Sequence, residues 1–369
     1  MIAHATTIGF VKRSPTPPQA ESDQNLKPVD HLPEVAGLAR NRRKSPPRIT
    51  GRLRKVRQDA ATKQELAGPA PLPRLLKNGV GLLPIPDWRD RKTTGKWLWH
   101  GFSTRVGGMS RAYCAEASPG DLNLGFTAAD DREGVVKNRR LLAEAVTGDK
   151  TTPIVTVRQF HSNLVVRLGA GDADRNRPRK ADGVITAEPG FLIAIQTADC
   201  IPVLVADRRR RVVGAFHAGW RGTAKRIVEL GIGKMRLEFG CRPEDMIAAI
   251  GPGVGQCCYA VGEEVLSEFE SQFSYARELF REVYDSDPVR KKYPMLFLTQ
   301  RAPGHSPIGP AMHLDLIEAN RRQLLDAGLK ASSISATGGC TSCHADLFFS
   351  HRASHGNAGR MMSIIGIRG

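Results

Sequence analysis

Apolar positions along this chain fall into two regimes. Through residue 75 they are scattered among basic residues and 10 prolines, with Phe10 the single aromatic. Stretches such as RNRRKSPPRITGRLRKVR carry too little apolar surface to offset the chain entropy lost on ordering, so residues 1–75 are expected to form a disordered basic tail. From Leu76 onward apolar runs recur at strand and helix spacing, and residues 76–369 are expected to form one catalytic domain.

Short apolar runs closed by polar or glycine breaks predict strands over 97–104, 155–160, 164–168, 183–186, 191–196, 246–250 and 361–367. Helical spacing predicts helices over 131–146, 222–239, 263–273, 275–284 and 314–327, the last stopped by Gly328. Strands gather early and helices follow in pairs, which argues for an α/β or α+β domain with a mixed sheet rather than repeated βαβ units.

The run QTADCIPVLVADRRRRVVGAFHAGWRG (196–222) organises the rest, with strands over 201–205 and 211–216 joined by a polar tip at 207–210. A hairpin folded about Arg208 and Arg209 sets Cys200 opposite His217, at the roughly 4.5–5.5 Å of facing strand residues. The tip lacks glycine, so a two-residue turn fits poorly and a register slip is the alternative.

The 369 residues, 41% hydrophobic and 25% charged, have globular composition. No apolar run reaches the roughly 20 residues of a membrane span, and no signal peptide is read at the N-terminus. Seven cysteines suit a reducing cytoplasm better than a disulfide framework, so a cytoplasmic protein without membrane contact is expected. Net charge is +17, of which residues 1–75 supply +8 from 14 Lys+Arg against 6 Asp+Glu. The remainder is spread without a basic helix or an aromatic RNA-binding signature, so nucleic-acid contact through the tail is the lesser expectation. A monomer is the expected state.

Two imidazoles and a thiolate stand out at strand ends: His161, Cys200 and His217. They make a sound zinc set with a fourth position left for water or substrate, and they equally suit a metal-free Cys–His nucleophile pair. Asp199 is the candidate proton acceptor or partner of a ligating histidine. Arg105 and Arg221 sit beside glycines in TRVGG and WRG, where a guanidinium fork suits phosphate or carboxylate, and are the candidate substrate-binding residues. GPGVG at 251–255 is no dinucleotide fingerprint, because a proline interrupts it and no acidic residue follows at the needed distance. Cys340-Thr-Ser-Cys343-His344 matches a haem-attachment pattern literally, but without an export signal it is taken as buried structural thiols, and adjacent Cys257 and Cys258 as packing residues.

Successive blocks of the chain resemble one known family. They include HGFSTRVGGMS (100–110), NLGF (123–126), RQFHSNLV (158–165), ADGVIT (181–186), QTADCIPVLVAD (196–207), AFHAGWRGT (215–223), AAIGPGVGQCCYAVG (248–262) and HLDL (313–316), with CTSC and FFSHR following between 340 and 352. In this order they are similar to the laccase-domain proteins, variously labelled multicopper polyphenol oxidases, purine nucleoside phosphorylases or peptidoglycan editing factors. The resemblance covers residues 97–367. It implies a single α/β domain with mixed sheets sandwiched between helices, related to the cysteine-dependent deamidase toxins. It further implies a metal at His161, Cys200 and His217, usually zinc, with copper the alternative. The implied activity is phosphorolysis of adenosine, inosine, guanosine and S-methyl-5'-thioadenosine, with adenosine deamination alongside. Rival expectations are a Cys200-dependent amidase editing peptidoglycan precursors and, below it, a copper polyphenol oxidase. Phe160 and Ser162 flank His161 where the family usually has Val and Gly, which bears on substrate range rather than on the trio.

Overall fold

Alternation along buried strands sets the architecture of the computed structural model, which describes residues 53–58, 63, 67, 69–85, 88, 94–114, 119–172, 178–285 and 311–369. A central six-stranded sheet runs in the order Ile334–Ala336, Met246–Ile250, Ile201–Asp207, Val212–Ala218, Gly183–Thr186, Val165–Arg167. A second six-stranded sheet runs Arg74–Leu75, Gly81–Leu83, Leu98–Ser103, Met361–Ile367, Leu192–Thr197, Ile154–Thr156. Each mixes parallel and antiparallel pairs.

Side chains two apart on a strand share a face. Val203 and Val205 therefore pack against Ile227, Val228 and Ile232 of the helix Ile227–Phe239. Leu204 and Ala206 turn the other way, toward Ile193, Ile195 and Ile365 of the second sheet. On that sheet's far face Leu192, Ala194, Met362 and Ile364 pack with Leu142 of the helix Arg132–Thr147. The layers are helix, sheet, sheet, helix, as the family resemblance implied. Both faces of the central strands are covered, which is why they are apolar throughout rather than alternating.

Three expectations are corrected. Residues 275–284 form a short 3-10 turn, Ala276–Leu279, and then a strand, Phe280–Asp285, instead of a helix. That strand pairs Phe280 with Leu314 and Val283 with Ala311, and this cross-strand packing overrides the local helical spacing. It belongs to a third, four-stranded sheet whose order is Arg54–Gln58, Phe280–Asp285, Ala311–Leu314, Ala260–Val261. The strand Arg54–Gln58, parallel to Phe280–Asp285, and the strand Arg74–Leu75 lie within the span expected to be a disordered tail, while residues 1–52 lie outside the described residues. The helix expected over 222–239 is two, Trp220–Ala224 and Ile227–Phe239, broken where Arg226 takes a left-handed φ of 59°.

Fully buried Phe216 is accommodated by glycines on its own strand and on neighbouring elements. A Cβ at Gly231 would lie 2.3 Å from the ring, and one at Gly183 or Gly214 would lie 2.9 Å from it. Gly231→Ala is accordingly expected to destabilise the domain by about 1–3 kcal/mol through overpacking, although alanine is worth about 1 kcal/mol more than glycine in a helix. A lower urea midpoint at unchanged slope is the expected reading. A raised midpoint would show that the ring yields.

Candidate active site

The hairpin closes one residue later than a turn about Arg208 and Arg209 allows. Pro202, not Cys200, pairs with His217, and Ile201 pairs with Ala218. The cause lies at the tip. The Asp207 carboxylate accepts the amides of Arg209 (2.9 Å) and Arg210 (2.8 Å), and Arg211 takes φ 53°, giving a four-residue loop. Cys200 thus sits just before the paired residues, in the register position across from Gly219. A Cβ on Gly219 would fall 2.9 Å from the Cys200 sulfur and 3.1 Å from His161 Cδ2, so glycine keeps the space in which these two side chains meet.

His161, Cys200 and His217 come together despite the shifted register. Their ligating atoms all lie within 4.8 Å of one another, with Cys200 Sγ 3.9 Å from His161 Nε2. The two imidazole rings meet edge to face at 5.0 Å. His217 is buried at the end of its strand, whereas His161 stands exposed on a loop.

Asp182 holds the arrangement together, and sequence reasoning did not single it out. Its side chain is inaccessible to solvent and accepts from His217 Nδ1 at 2.8 Å. The same carboxylate accepts the backbone amides of Phe160, His161 and Ser162 and the Ser162 hydroxyl. The loop carrying His161 is therefore wrapped around the group that orients His217. These bonds hold His161 at φ 62°, a conformation uncommon for a residue with a side chain. The available signal was a lone carboxylate directly before the short strand Gly183–Thr186, which carries the β-branched pair Val184 and Ile185.

Burial opposes the Asp182 charge, but the hydrogen bonds from His217 and Ser162 outweigh it and hold the carboxyl at about 2. Burial likewise pushes the Cys200 thiol up, and the His217 charge with hydrogen bonds from both histidines more than reverses this, to about 6. Burial lowers His217, while Cys200 and Asp182 raise it to about 9. In the metal-free trio these opposite shifts favour a thiolate facing an imidazolium. A thiolate and two imidazoles within reach of one atom are a zinc donor set, and a carboxylate on the far nitrogen of a ligating histidine is the customary support. The residues fit a metal, with Nε2 of His217 the nitrogen left available.

Asp199 does not partner a ligating histidine. Its carboxylate accepts from the Thr341 hydroxyl at 2.6 Å and from the Arg352 amide at 2.7 Å, which fixes the backbone beside Cys200 at φ 86°. Arg105 is not brought to the site. Its guanidinium is committed to Asp121 (Nε to Oδ1, 3.0 Å) and to the carbonyls of Ala345 and Tyr113, and it lies over the Phe349 ring. Arg221, stacked 4.3 Å over Trp220, lines the cavity above the trio. That cavity measures about 1180 Å³ and is lined by seven arginines, among them Arg158, Arg179 and Arg352, against two carboxylates, Asp172 and Asp199. Trp220 and Tyr259 add flat aromatic faces.

The family model described as multi-copper polyphenol oxidoreductase laccase matches residues 99–368. The chain belongs to this laccase-like family. Within the family it is similar to the purine nucleoside phosphorylase YlmD of Bacillus subtilis, 32% identical over 292 residues that cover 78% of this chain and 94% of that protein. It is also similar to the adenosine deaminase RL5 of an unknown prokaryotic organism, 31% identical over 65% of this chain and 84% of that protein. The crystal structure of YlmD from Geobacillus stearothermophilus superposes with a TM-score of 0.62 at 31% identity, covering 81% of this chain and all of that one. Among the described residues no helix is long and apolar enough to cross a membrane.

Proposed function

We propose that this laccase-like protein is a cytoplasmic, zinc-dependent purine nucleoside phosphorylase. Its substrates are adenosine, inosine, guanosine and S-methyl-5'-thioadenosine with phosphate, and it deaminates adenosine in the same cavity. The observation that carries this reading is the His161, Cys200 and His217 trio beneath an arginine-lined cavity with aromatic walls. The names of the relatives, phosphorylase and adenosine deaminase, support it.

His161, Cys200 and His217 hold the zinc, which when bound supplies Lewis-acid polarisation beside the purine. Asp182 fixes the His217 ring so that only Nε2 faces the cavity. Trp220 and Tyr259 stack the base, and Arg221 with its arginine neighbours holds phosphate and ribose oxygens. Asp199 acts through its bonds to Thr341 and Arg352, positioning Cys200 rather than taking a proton.

A second reading rests on the line Asp182, His217, Cys200, which has the orientation logic of a carboxylate–imidazole–thiolate triad. In it Cys200 attacks an amide of a peptidoglycan precursor. Copper polyphenol oxidation is the weakest reading. A trinuclear copper centre needs further clustered histidines, and the described residues bring together only this trio and a group of four cysteines.

The deciding assay follows inosine and adenosine with and without phosphate, before and after metal chelation. Phosphate-dependent release of hypoxanthine from inosine that chelation abolishes and zinc restores is the expected result, with Arg221→Ala slowing phosphorolysis more than deamination. Amide hydrolysis that survives chelation, without purine turnover, would establish the hydrolase instead.

A further inference from the structure

We propose that Cys257, Cys258, Cys340 and Cys343 form a second metal centre, a structural tetrathiolate zinc site. Adjacent Cys257 and Cys258 were expected to be packing residues, and Cys340 and Cys343 to be buried structural thiols. The fold instead brings the four sulfurs within 4.8 Å of one another. Cys343 Sγ lies 3.7 Å from Cys257 Sγ and 3.4 Å from Cys258 Sγ. Four thiolates around zinc at about 2.3 Å form a tetrahedron with edges of about 3.8 Å, so small side-chain adjustments separate this cluster from a coordination shell. A disulfide needs sulfurs at about 2.05 Å, and the separations of 3.7 and 3.4 Å here are not those of one. An iron–sulfur cluster sets several irons and sulfides between its cysteines and spreads them further apart.

The backbone around the sulfurs is shaped for them. Cys257 and Cys258 ride a turn in which the amides of Cys258 and Tyr259 both donate to Gly255 O, at 3.0 Å each. Cys340 and Cys343 ride a second turn closed by His344 N donating to Cys340 O at 3.0 Å. The turns are joined by Thr341 N donating to Gly253 O at 2.9 Å and by Gly255 N donating to the Cys340 sulfur at 3.2 Å. An N–H aimed at sulfur favours the thiolate that a metal requires. Glycine at 255 leaves room for this close approach, since a Cβ there would lie a tight 3.1 Å from Cys340 Cβ and 3.2 Å from the Cys257 sulfur. Ala67 and Val254 close the cluster, and Cys257 and Cys340 are each 2% exposed.

Four protein thiolates leave no open position, so this metal is structural. None of the four cysteines lines the cavity above the trio. Thr341 lies between two of the ligands and donates to Asp199, the neighbour of Cys200, so the metal clamps the segment that positions the trio.

The test measures metal content and the zinc-edge X-ray absorption of the full-length chain and of His161→Ala/Cys200→Ala/His217→Ala. The expected result is about one zinc per chain kept by the variant, in a four-sulfur shell at about 2.3 Å, and released as a mercurial consumes four thiols. Loss of that zinc in Cys258→Ser/Cys343→Ser is expected as well. A trio variant without metal, with four freely reacting thiols or a disulfide, overturns the proposal. Iron in the same shell overturns the assignment to zinc. If the trio variant fails to fold, the wild-type spectrum decides: a four-sulfur component supports the site, and a shell limited to one sulfur per zinc overturns it.

Discussion

Cys200→Ala abolishes phosphate-dependent hypoxanthine release from inosine, by on the order of 10³-fold or more, and takes the zinc of the trio with it. The sulfur is the single charged donor among the three groups and the point where the two histidines meet, at 3.9 Å from His161 Nε2. Removing it leaves two neutral imidazoles that hold zinc far more weakly, and removes the nucleophile required by the hydrolase reading. The substitution shortens a part-buried side chain and leaves its backbone partners in place, so the variant still folds, with a thermal midpoint lowered by the loss of the bound zinc. Turnover above a tenth of wild type in a correctly folded Cys200→Ala would remove the trio from the chemistry. Loss of turnover with full zinc retention at the trio would instead favour the nucleophile.

Asp182→Asn is expected to combine the largest loss of stability with a 10–100-fold loss of metal affinity. One carboxylate accepts from three consecutive amides, a hydroxyl and the His217 ring. The amide has one acceptor oxygen, so at least one buried donor is orphaned and the carboxamide nitrogen is driven against another N–H. Breaking a buried ion pair from one side costs about 3–5 kcal/mol. The loop at 160–162 then loses the bonds holding His161 at φ 62°, and His217 loses the group that selects its tautomer. Urea denaturation and competitive zinc titration check both halves, and an unchanged midpoint with unchanged affinity would refute the role. The pH dependence has a defined sign. Asp182 is held at about 2 against an ordinary value of 3.8, so its contribution is complete above the ordinary value and disappears as pH falls through about 2.

Several features were legible from residue order because they depend on neighbours along the chain. Apolar runs with strand spacing marked most of the two large sheets, and helical spacing marked the helices Arg132–Thr147 and Leu316–Asp326. Cys200, His217 and His161 stood out because imidazoles and a thiol in or beside apolar runs are chemically conspicuous there. Local spacing failed at 280–285, where pairing with Ala311–Leu314 decides the conformation, and at the hairpin tip, where the Asp207 side chain moved the register.

The remainder was decided by the tertiary structure. Asp182 is an aspartate before a glycine until the loop at 160–162 folds over it, and only then does its burial become tolerable and its role visible. Arg105 has the local look of an anion-binding residue, yet Asp121 and two carbonyls satisfy it first. The four cysteines form two unremarkable pairs in sequence and one cluster in space, because the turn at 255–258 docks on the turn at 340–343. Period and turn chemistry are properties of a few adjacent residues and are written in their order. Which charge is buried beside which donor depends on contacts between segments far apart in the chain, and only the closed packing of both sheets specifies those.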